Sequence, residues 1–367
     1  MKSRITQSDV ARAAGVHNTT VSLALRNSPL IPAATRDRIR AIAKSMGYCP
    51  DPALQALVAY RRTCGPLKHG ETLAYVTQGE TQWGWRRQPL EEAYYRAATA
   101  KASELGYHVE PFWIGGGLTA RRLGSVLRHR GIRGAIFAAP QGGGEEFAAF
   151  DWSQLTAVQI GERVTHPAVN RVALDPAGIV RLALQQVLYA GYRRVGLVLP
   201  HRWDKLTDQV WSAAFHAEQY RCHLKDRPPV LHLHSPLETE EEPSSHQAAN
   251  DAASVLRWMR QYRPDAVLGS SGAVLAHLRR SGFQVPGDFA YADLLLTEPD
   301  GSSAGVWSDP SRMGEIAVET LITQLQQNAF GLPATATITS VGGTWRAGAT
   351  LPGRPAAVPE RTEVGAG

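Results

Sequence analysis

The sequence predicts a small all-α domain at the N-terminus followed by a larger α/β domain built on parallel strands. Three observations carry this. The stretch Ile5 to Arg26, ITQSDVARAAGVHNTTVSLALR, reads as two short helices joined by a glycine turn. From Thr72 onward, short apolar runs alternate with longer amphipathic stretches, as in a parallel α/β domain. The basic charge gathers at one end. Residues 1 to 62 hold ten Lys and Arg against Asp9, Asp37 and Asp51, a net of +7; the whole chain carries +6, so the remainder carries −1. A chain of 367 residues is long enough for such a division. Basic charge confined to a helical end is the electrostatic footprint of nucleic-acid binding.

Thr6 and Asp9 have capping-box spacing, and Val10, Ala13 and Ala14 recur at helical intervals, which predicts a first helix over Gln7 to Ala14. Gly15 ends it. His17 or Asn18 can cap the next helix, whose apolar face is Val21, Ala24 and Leu25. Asn18, Thr19, Ser22, Leu23 and Arg26 stay outside. In helix-turn-helix proteins the first turn of the second helix reads base edges, and its orphan N–H groups favour phosphate. Asn18 can pair bidentately with adenine, and the Thr19 methyl or the Leu23 side chain can pack on a thymine methyl.

A third helix is predicted from Ala33 to Met46, with Ile39, Ile42 and Ala43 inward, Arg36, Arg38, Arg40 and Lys44 outward, and Gly47 at its end. In CPDPALQALVAYRR, residues 49 to 62, Asp51 caps and Pro52 starts a further short helix. A lone helix of that length is marginal in water.

The segments DVARAAGVHNTTVSLALRN and TRDRIRAIAKSMGYCPDPALQAL resemble the DNA-binding domain and hinge of the LacI/GalR family of bacterial transcription regulators, and the likeness continues more weakly to about Thr350. The resemblance implies a helix-turn-helix domain over 1–49, a hinge helix and linker over 50–69 that orders only in the DNA-bound dimer, and a two-lobed periplasmic-binding-protein-like α/β domain over 70–350; residues 351–367, rich in Pro, Gly, Ala and Val without periodicity, read as a disordered tail. It implies base reading by Asn18, Thr19 and Leu23, and phosphate contacts from Thr6, His17, Thr20, Ser22, Arg26, Thr35 and Tyr48. It also gives Leu57 as a wedge in the minor groove, where apolar side chains kink flexible base steps. Two positions depart from the family: His17 stands where serine is usual, and Leu23 where many members have arginine.

Strands are predicted at LAYVT, YHVEPFW, GAIFAAP, TAVQI, NRVALD, RVGLVLP, PDAVLGS and FAYAD. Helices are predicted over Leu90 to Leu105, Ala120 to His129, Pro176 to Ala190, Gln209 to Leu224, His246 to Tyr262, Ala273 to Ser281 and Pro310 to Asn328. No GxGxxG or GxxxxGK[ST] follows a strand, so no nucleotide cofactor is indicated, and GGG at 142–144 reads as a loop. The resemblance places three lobe crossings, near Arg163, near Thr297 to Ala304, and after Phe330. Cys49, Cys64 and Cys222 have no zinc spacing and suit reduced thiols in a cytoplasmic protein. No apolar run approaches a membrane span. The expected partners are operator DNA, a second copy of the chain and a small-molecule effector, with carbohydrate as the candidate class; no leucine heptads point beyond a dimer.

Ligands of open α/β sheets bind at the carboxyl ends of strands, which in the resembling fold is the interlobe cleft. The candidates there are Gln78, Trp83, Trp85, Glu162, Trp211, Ser270 and Asp293, together with Arg86 or Arg87, Trp113, Trp203, Asp204 and Trp307. Sugar-binding members carry an arginine after the LVLP strand, an Asn-Asp pair after PDAV and an aspartate after the strand that follows VPGD. Here those places hold Trp211, Ser270 and Ser271, and Leu294 to Leu296, so the usual polar clamp is largely missing. His232 and His234 alternate on a strand ahead of Glu238 to Glu242, which invites a metal reading; the acidic run reads better as a solvated loop. No HExxH, GxSxG or other catalytic constellation stands out, so no enzyme is indicated. The alternative to a repressor is a metabolite sensor acting by activation or partner contact.

Overall fold

The computed structural model describes residues 6–25, 30–48, 71–79, 81–138, 147, 150–162, 167–235 and 245–354. The predicted hinge helix with Leu57, the phosphate position Arg26, Cys49 and Cys64, the GGG loop at 142–144, Arg163 and the acidic run Glu238 to Glu242 lie outside the described residues.

At the N-terminus stand α1 (Gln7–Ala14), α2 (Asn18–Leu25) and α3 (Ala33–Ser45). The capping box forms as read: Asp9 N–H donates to Thr6 Oγ1 at 3.3 Å, and Thr6 N–H to Asp9 Oδ2 at 2.9 Å. The Thr6 hydroxyl, donating to Asp9 Oδ2 at 2.6 Å, and then the Thr6 N–H hold the Asp9 carboxyl below the usual carboxylate range. Gly15 follows with φ of +67°, a left-handed cap that a side chain would strain. Val10, Ala14, Val21, Ala24, Ile39 and Ala43 make a small common core, with Leu25, Met46 and Tyr48 packed at its edge. One outward arginine has a structural partner that its spacing did not reveal. Arg38 Nη2 donates to the Ala14 carbonyl at 3.2 Å, closing the end of α1. Thr6→Ala should remove about 1 kcal/mol from this domain; amide exchange in α1 is expected to quicken about fivefold, and an unchanged rate would show the cap to be idle.

The rest of the chain forms two six-stranded sheets. The first uses β1 (Thr72–Gln78), β2 (His108–Ile114), β3 (Gly134–Ala138), β4 (Thr156–Ile160), β5 (Asn170–Leu174) and, late in the chain, β11 (Ile338–Val341), in the order β11-β5-β4-β3-β1-β2. The second uses β6 (Val195–Pro200), β7 (Leu231–Leu233), β8 (Ala266–Gly269), β9 (Ala290–Asp293), β10 (Ala304–Trp307) and β12 (Thr344–Arg346), in the order β12-β10-β9-β8-β6-β7. Pairing through β2-β1-β3-β4-β5 and through β7-β6-β8-β9-β10 is parallel; β12 runs antiparallel to β10. Strands β3, β4 and β6 are buried along their whole length. That is why β3 and β6 are near-continuous apolar runs, since helices cover both faces of a parallel sheet, while β4 also buries Thr156 and Gln159.

In the first unit, α4 (Pro89–Glu104), α5 (Ala120–His129) and the returning α11 (Pro310–Gln326) supply that cover. Helices α4 and α11 approach closely at Gly314, where a Cβ would sit 2.3 Å from the Tyr94 carbonyl oxygen. In the second unit the helices are α6 (Pro176–Tyr189), α7 (His201–Leu206), α8 (Val210–Arg221), α9 (Ser245–Tyr262) and α10 (Gly272–Arg280). The α6–α8 contact carries a buried carboxylate: Glu218 receives Arg181 Nε at 2.9 Å and Arg221 Nε at 2.6 Å.

The chain passes between units at Ala173/Leu174, Asp309/Pro310 and Thr339/Ser340. The first two crossings come later than the sequence reading placed them. The tail also needs correction at its start. Leu351 to Arg354 are fastened, because Tyr192 Oη–H donates to the Pro352 carbonyl at 2.7 Å and Arg354 meets Asp265 at 3.1 Å. Residues 355–367 lie outside the described residues. No described helix is long and apolar enough to cross a membrane.

Candidate nucleic-acid interface and effector site

The first turn of α2 presents its polar residues as the sequence reading expects. His17, Asn18 and Thr19 are exposed, while Val21 and Ala24 are buried against α1 and α3. Thr20, Ser22 and Leu23 are half-buried, as are Thr35 and Tyr48 on and after α3; Thr6 is exposed. His17 contributes something that residue type alone did not settle. Its Nδ1 lies 2.8 Å from Thr19 Oγ1 and accepts the Thr19 backbone N–H at 3.4 Å, so the imidazole is the N-cap of α2. An eight-residue helix held on a packed support, with a polar exposed start, is a shape that enters the major groove.

The effector candidates fall into two groups, one on each sheet. In the first unit, Gln78 ends β1 and Glu162 follows β4; both are engaged by neighbours. Trp83 and Trp85 sit in a 3-10 turn (Gly84–Arg87) and its flank. Trp85 is a core residue rather than a platform: it is buried, edge-on to Tyr95 at 4.8 Å, and donates Nε1–H to the Gln82 carbonyl. Trp83 is 43% exposed, with the Arg86 guanidinium 4.4 Å over its ring. Trp113 is tied by its Nε1–H to the Gly79 carbonyl.

In the second unit Trp211 corrects the sequence reading outright. It is 0% exposed and packed against Trp203 at 5.1 Å, because α8 turns that position inward along with Phe215, one turn on. Ser270 and Asp293 end adjacent strands, with Gly269 and Asp293 in register. Both are buried, and Ser270 Oγ has no hydrogen-bond partner among the described residues. Asp293 Oδ1 lies 2.8 Å from Tyr291 Oη, and burial pushes its carboxyl up to about 7. Leu294 and Leu296, which replace the polar clamp, are buried as well.

A polar cluster that the sequence only hinted at gathers after β6 and β7. His232 Nε2 meets Asp204 Oδ2 at 2.9 Å, and the His201 ring lies 5.5 Å from His232 and 4.8 Å from His234. Burial opposes ionisation of Asp204, yet the bonds from His232 and Ser212 outweigh it and hold the carboxyl below its ordinary range. The His232–His234 alternation was the visible signal; Asp204 lay on the short helix α7, which the sequence reading did not predict. Among the described residues no group of three or more His, Cys, Asp or Glu could hold a metal ion.

The comparisons with known proteins bear on both parts of this architecture. Residues 6–51 match the model of bacterial regulatory proteins of the lacI family, and residues 184–340 match that of the periplasmic-binding-protein-like domain. The chain thus carries a LacI-type helix-turn-helix domain ahead of a periplasmic-binding-protein-like domain. It is 24% identical over 302 residues to an HTH-type transcriptional regulator of Mycolicibacterium smegmatis, spanning 77% of this chain and 80% of that one. In fold it is similar to the transcriptional regulator CelR in complex with cellobiose, with a TM-score of 0.56, 18% identity, and coverage of 93% of this chain and 98% of that one. The lac repressor dimer bound to operator and the anti-inducer ONPF gives the same TM-score and identity, with coverage of 95% and 99%. These relatives are transcription regulators, not enzymes.

Proposed function

We propose that this LacI-family regulator is a cytoplasmic repressor that binds a pseudo-palindromic operator as a homodimer and responds to a small-molecule effector. The observation that carries it is the first turn of α2, where His17, Asn18 and Thr19 stand exposed and capped on the three-helix core. Two such helices, one per subunit, read half-sites about one helical turn apart. The net +7 of residues 1 to 62 supplies the phosphate attraction. Leu57 is proposed as the central minor-groove wedge, on the sequence alone. The lac repressor structure, a dimer on its operator, supports this reading.

The effector is proposed to be a sugar or related metabolite held at the carboxyl ends of the strands, with Gln78, Trp83, Glu162, Ser270 and Asp293 nearest to it. The CelR–cellobiose complex supports a carbohydrate. The buried leucines at Leu294 and Leu296 favour a ligand with fewer hydroxyls to satisfy. Any such ligand shifts DNA affinity only by its unequal affinity for the two states.

The test is selection from a genomic fragment pool at two salt concentrations. The expected result is a palindromic motif with a flexible central step. Asn18→Ala should weaken that site by about 10- to 100-fold, the range of a lost bidentate base contact. Leu57→Ala should blunt the preference at the centre. Bound fragments that share no motif and are lost together as salt rises would overturn the specific-repressor reading.

A further inference from the structure

His17 stands at the N-cap of α2, where serine, threonine, asparagine or aspartate usually accepts a backbone N–H. Here Nδ1 of the ring accepts the Thr19 N–H at 3.4 Å, and Thr19 Oγ1 lies 2.8 Å from the same nitrogen. A backbone N–H is a donor only, so Nδ1 is an acceptor and bears no proton; the ring N–H is on Nε2. The proton between Oγ1 and Nδ1 is therefore the Thr19 hydroxyl proton. Thr19 donates it to the ring, and Oγ1 is left with lone pairs alone.

We propose that His17 is a specificity-determining positioning residue: by taking the Thr19 hydroxyl proton it makes Thr19 an obligate acceptor, which reads an exocyclic amino group in the major groove, N6–H of adenine or N4–H of cytosine. The inference rests on α2 being the DNA-reading helix. A free threonine hydroxyl donates or accepts as its surroundings require, and base edges offer both kinds of partner, so it discriminates weakly. Pinned at 2.8 Å, the Thr19 hydroxyl loses that choice and its side chain loses rotamer freedom before DNA arrives. Recognition then runs through the oxygen of Thr19 rather than through its methyl group on thymine. Nε2–H remains as a donor for phosphate, so one ring serves the helix, the base reader and the backbone contact.

The experiment compares the full-length protein with His17→Ala, His17→Asn, Thr19→Val and the Ala/Val double variant in fragment-pool selection. Thr19→Val should lose about fivefold of preference at one motif position, the worth of one hydrogen bond. His17→Ala should lose a similar factor at that same position, the double variant no more than either, and His17→Asn, whose amide oxygen can both cap and accept, should match the parent. Sites in which the preferred adenine there becomes purine, or the preferred cytosine becomes 2-pyrimidinone, should bind the parent about fivefold more weakly and Thr19→Val unchanged. The proposal is overturned if the two single variants alter different positions or add independently, or if uracil for thymine weakens the parent while amino removal does not. A parent motif that His17→Ala leaves intact sinks this proposal alone; a parent with no motif sinks the DNA-reading role as well. His17→Asn and the near-isosteric Thr19→Val keep the test decisive if the alanine variant fails to fold.

Discussion

Asp293→Asn is expected to make the protein more stable at pH 8 than the parent, by up to about 4 kcal/mol, and to leave the two nearly equal at pH 4. Burial raises the carboxyl from its ordinary 3.8 to about 7. The hydrogen bonding works the other way and is outweighed: Tyr291 Oη–H, 2.9 Å from the Ser271 carbonyl, also lies 2.8 Å from Asp293 Oδ1 and by donating there favours the charged carboxylate, yet burial dominates.

The direction with pH follows from linkage. Between about pH 4 and 7 the folded state binds this proton more tightly than the unfolded state, so stability falls as pH rises through that window and levels off above it. Raising a carboxyl from 3.8 to about 7, at 1.36 kcal/mol per pH unit, corresponds to about 4 kcal/mol. Asparagine copies the neutral acid in shape and removes the titration. Because every other group is common to both proteins, the difference between their urea-unfolding free energies across pH isolates Asp293. A variant less stable than the parent at pH 8 would mean that the native state welcomes the charge. The same burial makes Asp293 a poor clamp for a polar ligand unless the ligand brings a donor and displaces Tyr291.

The fold was legible where one kind of residue dominated a whole element. Helix α1 was readable to its ends because Thr6, Asp9 and Gly15 mark it chemically. The strands β3 and β6 were readable because burial on both faces leaves no polar interruption, and β4 because Thr156 and Gln159 are the only polar residues in an otherwise apolar, β-branched stretch. Strand β11 was not: all four of its residues keep solvent contact, so ITSV carries no apolar pattern. Helix α7 escaped because it is six residues long and begins directly at the end of β6, without a side-chain cap.

The site was less legible for a different reason. Tryptophan suits a core and a ligand platform equally, and sequence does not report which face a helix turns inward. Trp83 at 43% exposed and Trp211 at 0% looked alike until burial separated them. Hydrogen-bond direction was beyond sequence as well. That His17 rather than Asn18 caps α2, and that Arg38 closes α1 instead of waiting for phosphate, both depend on distances between side chain and backbone.

Trp211→Ala should lower stability by about 3–5 kcal/mol, the range for emptying a fully buried large aromatic position. The side chain is 0% exposed, packed against Trp203 at 5.1 Å, on a helix where Phe215, one turn on, is equally buried. Alanine would leave a void that the packed helices α6 and α8 cannot close without moving the Arg181–Glu218 pair between them. A second substitution separates packing from ligand binding. Trp211 Nε1 has no hydrogen-bond partner among the described residues, so Trp211→Phe removes ring volume but strands no acceptor. Its stability loss should be no more than about half that of alanine, and the effector response, read as a shift in operator affinity, should survive. Were Trp211 the ligand platform that its position in the sequence suggested, the outcome would invert: phenylalanine would leave stability nearly unchanged and abolish the response. Chemical unfolding of both variants, paired with operator titration with and without effector, decides between a core residue and a binding residue, because the two roles move opposite readouts.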